Sequence, residues 1–199
     1  MTVSIRHARL EDLPALRQVV IRACDDDPPM NWILQGGAAK ERAFDAFFKV
    51  SLEHLTFPFG EVYCDDELHG AALWTPPGKW RLHWWQQVRD LPSWGRAMGW
   101  SRLAFIARAT AKLTASHPEE PHYYLLAIGV DADQRGKGLA SALVKPVLDR
   151  CDAEGMPAYL EASKPALVPL YQRFGFTLKH EIPIGDGPPM FAMWRPPRK

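Results

Sequence analysis

The run YYLLAIGVDADQRGKGLASALVKPVLD, residues 123–149, constrains the fold more than any other part of the chain. Its apolar opening at 123–130 is far short of the ~20 residues of a membrane helix and reads as a strand, apolar enough to be buried on both faces. After a charged, glycine-containing loop, Leu139, Leu143, Val147 and Cys151 recur every four residues, the buried stripe of a helix that Gly155 and Pro157 end. Pro146 falls inside that helix, and because the apolar spacing continues past it, it predicts a kink and not an end. A second apolar strand, AYLEAS at 158–163, follows at once. Strand, helix, strand in that order demands a sheet with the helix packed on one face.

The rest of the chain fits around this unit. TVSIRHARL (2–10) alternates as a half-buried strand does, and a helix is expected over residues 12–24, with Asp12 near its cap and Pro14 in its first turn. DDDPPMNW (25–32) reads as a loop by its prolines, and a second helix runs over residues 39–55. Residues 61–76 read as two strands around a polar turn at 65–69, a hairpin. Residues 79–115 are helical in pattern, rich in tryptophan and broken near Pro92 and Gly95. A short helix at 165–174 precedes two closing strands, GFTLKHEIPI and PMFAMWRP. No repeat or linker divides the chain, so the expectation is one α/β (α+β) domain over residues 1–199. Its sheet is mixed and mostly antiparallel, and the Trp-rich helical insertion lies at about 79–116.

Composition excludes several classes. Net charge is +1, so no global field recruits nucleic acid or an anionic membrane, and neither is an expected partner. The opening MTVSIRHARLEDL has no hydrophobic signal core, so the chain is expected to be unprocessed. Three widely spaced cysteines disfavour a disulfide framework, and a cytoplasmic protein is expected. The seven histidines show no ligand spacing with one another or with the cysteines, and His117 and His122 merely flank PEEP, so no metal is expected.

The loop at 131–138 carries the chemistry. The first turn of a helix has unpaired N–H groups and about half a positive charge, which attract anions. Gly136 and Gly138 offer no side chain to block a phosphate, and Arg135 and Lys137 add two cations to the rim. Together these describe a diphosphate cradle. A Walker loop does not fit Gly136-Lys137-Gly138-Leu139. A dinucleotide fingerprint fails at Ser141, although Glu161 lies about 20 residues on, where a ribose-binding acid would stand. A third pattern, Arg/Gln-x-x-Gly-x-Gly/Ala, is met by Arg135, Gly138 and Ala140.

With that motif, the opening IRHARLEDLPAL, the AIGVDADQRGKGLASAL unit and the late LYQRFGF, nearly the whole chain resembles the GCN5-related N-acetyltransferases. Within that family, EPHYYLLAIGV, the proline in the following helix and PLYQRFGF are most similar to the puromycin-acetylating members. The resemblance implies acetyl-CoA as co-substrate, with its diphosphate against the backbone of Arg135, Gly136, Lys137, Gly138, Leu139 and Ala140. It implies that the pantetheine arm pairs like an extra strand with Ile128, Gly129 and Val130, in a V-shaped gap where two central strands splay. It implies an enzyme, the acceptor being an amine.

An alkyl amine with a lysine-like pKa of about 10.4 is deprotonated about once in 2,500 molecules at pH 7, so reaching its reactive form costs ~4.6 kcal/mol, which a base or a water wire must help supply. Tyr171 matches the family's position for a hydrogen-bond donor to the departing sulfur. By pattern alone it is also a core tyrosine beside Leu167, Leu170 and Phe174. Glu161 is a candidate base or an outward strand charge; His122 could relay a proton or face solvent; a water chain with no single base remains open. Trp80, Trp84, Trp85, Trp94 and Trp100 fall within 21 residues. Trp80 and Trp84 stand one helical turn apart and could share a face, as core packing or as the wall of a small-molecule site. Asp25, Asp26 and Asp27 could draw in a cation or form a solvated helix end. The expected function is acetyl transfer to a primary amine of a small molecule, by a monomer or homodimer; the alternative is a non-catalytic acyl-CoA-binding sensor.

Overall fold

The computed structural model describes residues 3–34 and 38–198. Seven strands are present among them: β1 (Ile5–His7), β2 (Val62–Asp65), β3 (Gly70–Thr75), β4 (Tyr123–Val130), β5 (Ala158–Ala162), β6 (Thr177–Ile182) and β7 (Met190–Arg195). They form one sheet in the order β1-β2-β3-β4-β5-β7-β6, antiparallel throughout except between β4 and β5. The mixed, mostly antiparallel sheet of the sequence reading is therefore present.

Alternation along the strands sorts the core into two layers. On β3, Ala71 and Leu73 face Leu16 and Val20 of α1 (Leu13–Ala23) and Phe44 and Phe48 of α3 (Ala38–Val50). Ala72 and Trp74 face the other way, toward α6 (Leu139–Glu154). The predicted stripe of Leu139, Leu143, Val147 and Cys151 is buried there, and α6 runs through Pro146 without ending. Gly129 allows the α1 contact, since a Cβ on it would stand 2.9 Å from Ala23 Cβ and 3.0 Å from Val20 Cα.

Several elements depart from expectation. The first strand is cut to three residues because Asp12 pulls the chain into a turn, accepting the Arg9 backbone N–H at 2.7 Å and the Arg6 guanidinium at 2.6 Å. Of residues 25–32, read as loop, 28–32 lie in the helix α2 (Pro28–Leu34). Asp27 Oδ1 accepts the Met30 N–H at 2.9 Å, and prolines in a first turn sacrifice no helical donor, so DDPP is a helix start. The second helix does end near 55, but its last part, Ser51–Thr56, is a π-helical turn. The tryptophan-rich segment is α4 (Trp84–Met98) and α5 (Trp100–Ser116), and the break falls at Gly99. Gly99 has φ 84°, a conformation that glycine takes at no steric cost, whereas α4 absorbs Pro92 and Gly95. Trp80 precedes α4, so it shares no helix face with Trp84.

Candidate active site

The site is built where β4 loses a partner. β4 and β5 pair in register only at Tyr123–Ala158 and Tyr124–Tyr159, although β4 runs on to Val130. Beyond Tyr124 the two strands part, while β4 stays paired to β3 as far as Val130. The β5-facing edge of residues 125–130 is thus free of strand partners. For the same reason Leu126, Ala127 and Ile128 are only partly buried, where the sequence suggested a strand buried on both faces. A bulge at Leu126 adds to the parting: Leu73 pairs with Ala127 and Trp74 with Leu125, leaving Leu126 as the extra residue.

β4 leads straight to the glycine loop. Residues 135–138 are exposed, Gly136 and Gly138 have φ of 77° and 86°, and a Cβ on either would meet nothing within 4 Å. Gly138 is the N-cap of α6, so the helix's first N–H groups open onto that empty space. The loop is held from behind: Arg135 Nε donates to the Val130 carbonyl at 3.2 Å, and Arg22 on α1 bridges to Asp131 at 2.8 Å. Lys137 reaches Gln134 at 3.2 Å and stands exposed on the rim. These residues fit a diphosphate group: donors, cations and room where a side chain would intrude.

Tyr171 lies on α7 (Val168–Arg173), buried in the α6-side layer, with Phe174 and Phe176 edge-on at 6.4 and 6.3 Å. Burial pushes its phenol well above the ordinary value, with smaller contributions in the same direction from Cys24 and Asp27. It stays protonated, as a hydrogen-bond donor must. Asp27 is itself raised by burial, against hydrogen bonds from Ser163 and the Met30 N–H. Asp25 and Asp26 are each held by a lysine at 2.7 Å, Lys40 and Lys164 respectively.

Glu161 stands on β5, two residues beyond the last β4 pair and on the sheet face opposite Ala158 and Leu160. Its side chain is only 5% exposed, which disposes of the outward strand charge. Its carboxylate lies 3.5 Å from Nδ1 of His117, at the end of α5. His117 Nε2 is 2.9 Å from His122 Nε2, and His122 Nδ1 meets the Glu120 carbonyl. His122 is therefore buried and not solvent-facing, and burial lowers its pKa. The same burial, then the Glu161 charge, pushes the Tyr124 and Tyr159 phenols above their ordinary value. His117 drew no functional reading from the sequence, because its partners lie five and 44 positions away with no periodic relation.

The tryptophans divide. Trp80 stacks on His117 with ring centroids 3.6 Å apart, Trp94 packs on the α1–α3 layer, and Trp85 and Trp100 are exposed. Among the described residues no group of three or more His, Cys, Asp or Glu could hold a metal ion, and no helix is long and apolar enough to cross a membrane.

Comparison with known proteins points the same way. The profile of the acetyltransferase (GNAT) family matches residues 44–176. An uncharacterised N-acetyltransferase of Schizosaccharomyces pombe is 24% identical over 191 residues, covering 90% of this chain and 76% of the relative. The crystal structure of a histone acetyltransferase HPA2 and related acetyltransferase from Corynebacterium glutamicum superposes with TM-score 0.76 at 25% identity, covering 100% of this chain and 98% of the other. A polyamine N-acetyltransferase of Drosophila melanogaster shares the fold at TM-score 0.57 and 16% identity, over 98% of this chain and 100% of that one. A parted strand pair feeding a glycine-capped helix, and a family match over two thirds of the sequence, lead to one conclusion: the chain belongs to the acetyltransferase (GNAT) family and is an N-acetyltransferase of the acetyl-CoA-using type.

Proposed function

We propose that the chain transfers an acetyl group from acetyl-CoA to a primary amine of a small molecule, as one N-acetyltransferase domain over residues 1–199. The observation that carries this reading is the parting of β4 from β5 after Tyr124, directly ahead of the open N-terminus of α6. In it, the backbone of Arg135, Gly136, Lys137, Gly138, Leu139 and Ala140 holds the diphosphate, and the free edge of Ile128, Gly129 and Val130 pairs with the pantetheine arm. Tyr171 donates a hydrogen bond to the departing sulfur. Glu161 acts from the other side of the sheet as the base toward the acceptor ammonium.

The acceptor class rests on charge and shape. In this reading a cationic amine is attracted by the carboxylates of Glu161, on β5, and of Asp27, which Ser163 just beyond β5 meets by a hydrogen bond. The Trp-rich insertion, about residues 79–116, supplies aromatic surface beside His117. The polyamine acetyltransferase that shares the fold acts on an amine of this class. The likeness to puromycin-acetylating enzymes supports a small, antibiotic-like amine over a protein acceptor. Cys24, Cys64 and Cys151 are all free, which supports a cytoplasmic enzyme.

Thermal unfolding with ligand tests the reading. Acetyl-CoA or CoA at about a hundred times its dissociation constant adds ~2.7 kcal/mol, or about 5–11 °C for a chain of this size, and NAD adds nothing. A panel of primary amines should then release free thiol from acetyl-CoA. No shift with either CoA species removes the cradle; a shift without turnover of any amine makes the chain a sensor and not an enzyme.

A further inference from the structure

The proton balance of acyl transfer asks for two proton routes. An ammonium acceptor and a thioester become an amide, a thiol and one free proton, so two protons leave the nitrogen. One reaches the sulfur, where Tyr171 is placed to help. The other must go elsewhere. We infer that His117 and His122 form a buried proton acceptor behind Glu161, taking the second proton; this rests on the acetyl-transfer reading above.

The hydrogen bonds set the direction. His122 Nδ1 faces the Glu120 carbonyl, which can only accept, so Nδ1 carries the hydrogen. The neutral ring then presents a lone pair at Nε2, and the 2.9 Å contact is filled by the Nε2–H of His117. That leaves Nδ1 of His117 as a lone pair pointing at Glu161, 3.5 Å away. Two acceptors face each other there, leaving room for one proton between them. The distance is long for a hydrogen bond, as catalytic contacts commonly are before substrate arrives.

The transfer then balances. An N–H bond of the ammonium breaks and an O–H bond forms on Glu161. That proton passes to His117 Nδ1, and His117 as imidazolium still donates through Nε2 to His122. Its charge is met by the Glu161 carboxylate and by Trp80, stacked face to face at 3.6 Å. Other groups face the pair: the phenols of Tyr124 and Tyr159 at ring distances of 4.8 Å from His117, and Trp194 at 5.5 Å from His122. Arg81 lies 4.3 Å from the Trp80 ring. The Glu120 carbonyl closes Nδ1 of His122, so the proton leaves as it came, through Glu161, once product departs.

Two amines of similar size separate this role from a structural one. Ethylamine is almost wholly protonated at pH 7; 2,2,2-trifluoroethylamine is almost wholly neutral and has no second proton to lose before attack. His122→Gln and His117→Gln should lower kcat for ethylamine at least tenfold, with KM little changed and activity recovering as pH rises. Turnover of trifluoroethylamine should stay within about twofold. Equal loss on both amines overturns the inference. Independently of turnover, nitrogen NMR of the ¹⁵N-histidine-labelled, full-length wild-type protein must show His122 as the Nδ1–H tautomer, and the Nε2–H tautomer overturns it as well. If the wild type acetylates neither amine, acetyl transfer to simple alkylamines fails by itself, and the tautomer still decides the hydrogen-bond direction on which the relay depends.

Discussion

Replacing Gly138 by alanine separates the stability of the glycine loop from the binding role proposed for it. Gly138 sits at φ 86°, ψ 0°, where an L side chain costs about 1–2 kcal/mol. Nothing lies within 4 Å of the added methyl, so strain is the whole expected cost to the free protein. Taking ~1 kcal/mol, the unfolding midpoint falls by about 2–4 °C. The same methyl stands where a diphosphate must approach the first N–H groups of α6, and a tenfold loss of CoA affinity, ~1.4 kcal/mol, is expected. At a CoA concentration that stabilises the wild type by ~2.7 kcal/mol, the variant should gain only ~1.4 kcal/mol. Gly155, at the other end of α6, is the matched control: φ is 66° and a Cβ there also meets nothing within 4 Å. Gly155→Ala should lose comparable stability and bind CoA normally. Calorimetry of both variants with CoA checks this; equal affinity in the two would refute the cradle and return the loop to a surface turn.

Tyr171→Phe keeps the ring among Phe174 and Phe176 and removes only the hydroxyl, so the melting midpoint should hold while kcat drops about ten- to a hundredfold at unchanged acetyl-CoA affinity; unchanged kcat in stopped-flow thiol release would dismiss its role. Asp12 is held below the usual carboxylate range, first by the Arg6 hydrogen bond and then, against burial, by the Arg9 N–H. A lowered folded pKa contributes stability above the unfolded value of about 3.9, and that contribution is lost as pH falls through the folded one. Asp12→Asn should therefore cost about 2 kcal/mol at pH 7 and progressively less below pH 4, read by urea unfolding across pH; a pH-independent cost would contradict the ion-pair account.

Much of the fold was legible because it depends on local periodicity. The stripe from Leu139 to Cys151, the hairpin over β2 and β3, and the passage of α6 through Pro146 all follow from spacing within one element. The glycine loop was legible too, since left-handed backbone and absent side chains are properties of the residues themselves. The missed α2 was partly readable, because Asp27 before two prolines is a helix-start signal that the proline content concealed. The break at Gly99 was not: Gly95 is equally a glycine, but Trp100 folds over it, an added Cβ meeting the indole at 2.6 Å, and that packing needs the next helix in place.

The residue types and their spacing by themselves determined the strand–loop–helix unit and the open, glycine-capped start of its helix, because those depend on neighbours in the chain. Tertiary structure alone decided how far β4 and β5 stay together and which residues meet where they part. Glu161, His117 and His122 come from a strand, a helix end and a loop, and only the closing of α5 over the sheet places them in contact. Burial, which lowers the His122 pKa and keeps Tyr171 protonated, is likewise a property of the packed molecule, since no residue carries its own desolvation in the sequence.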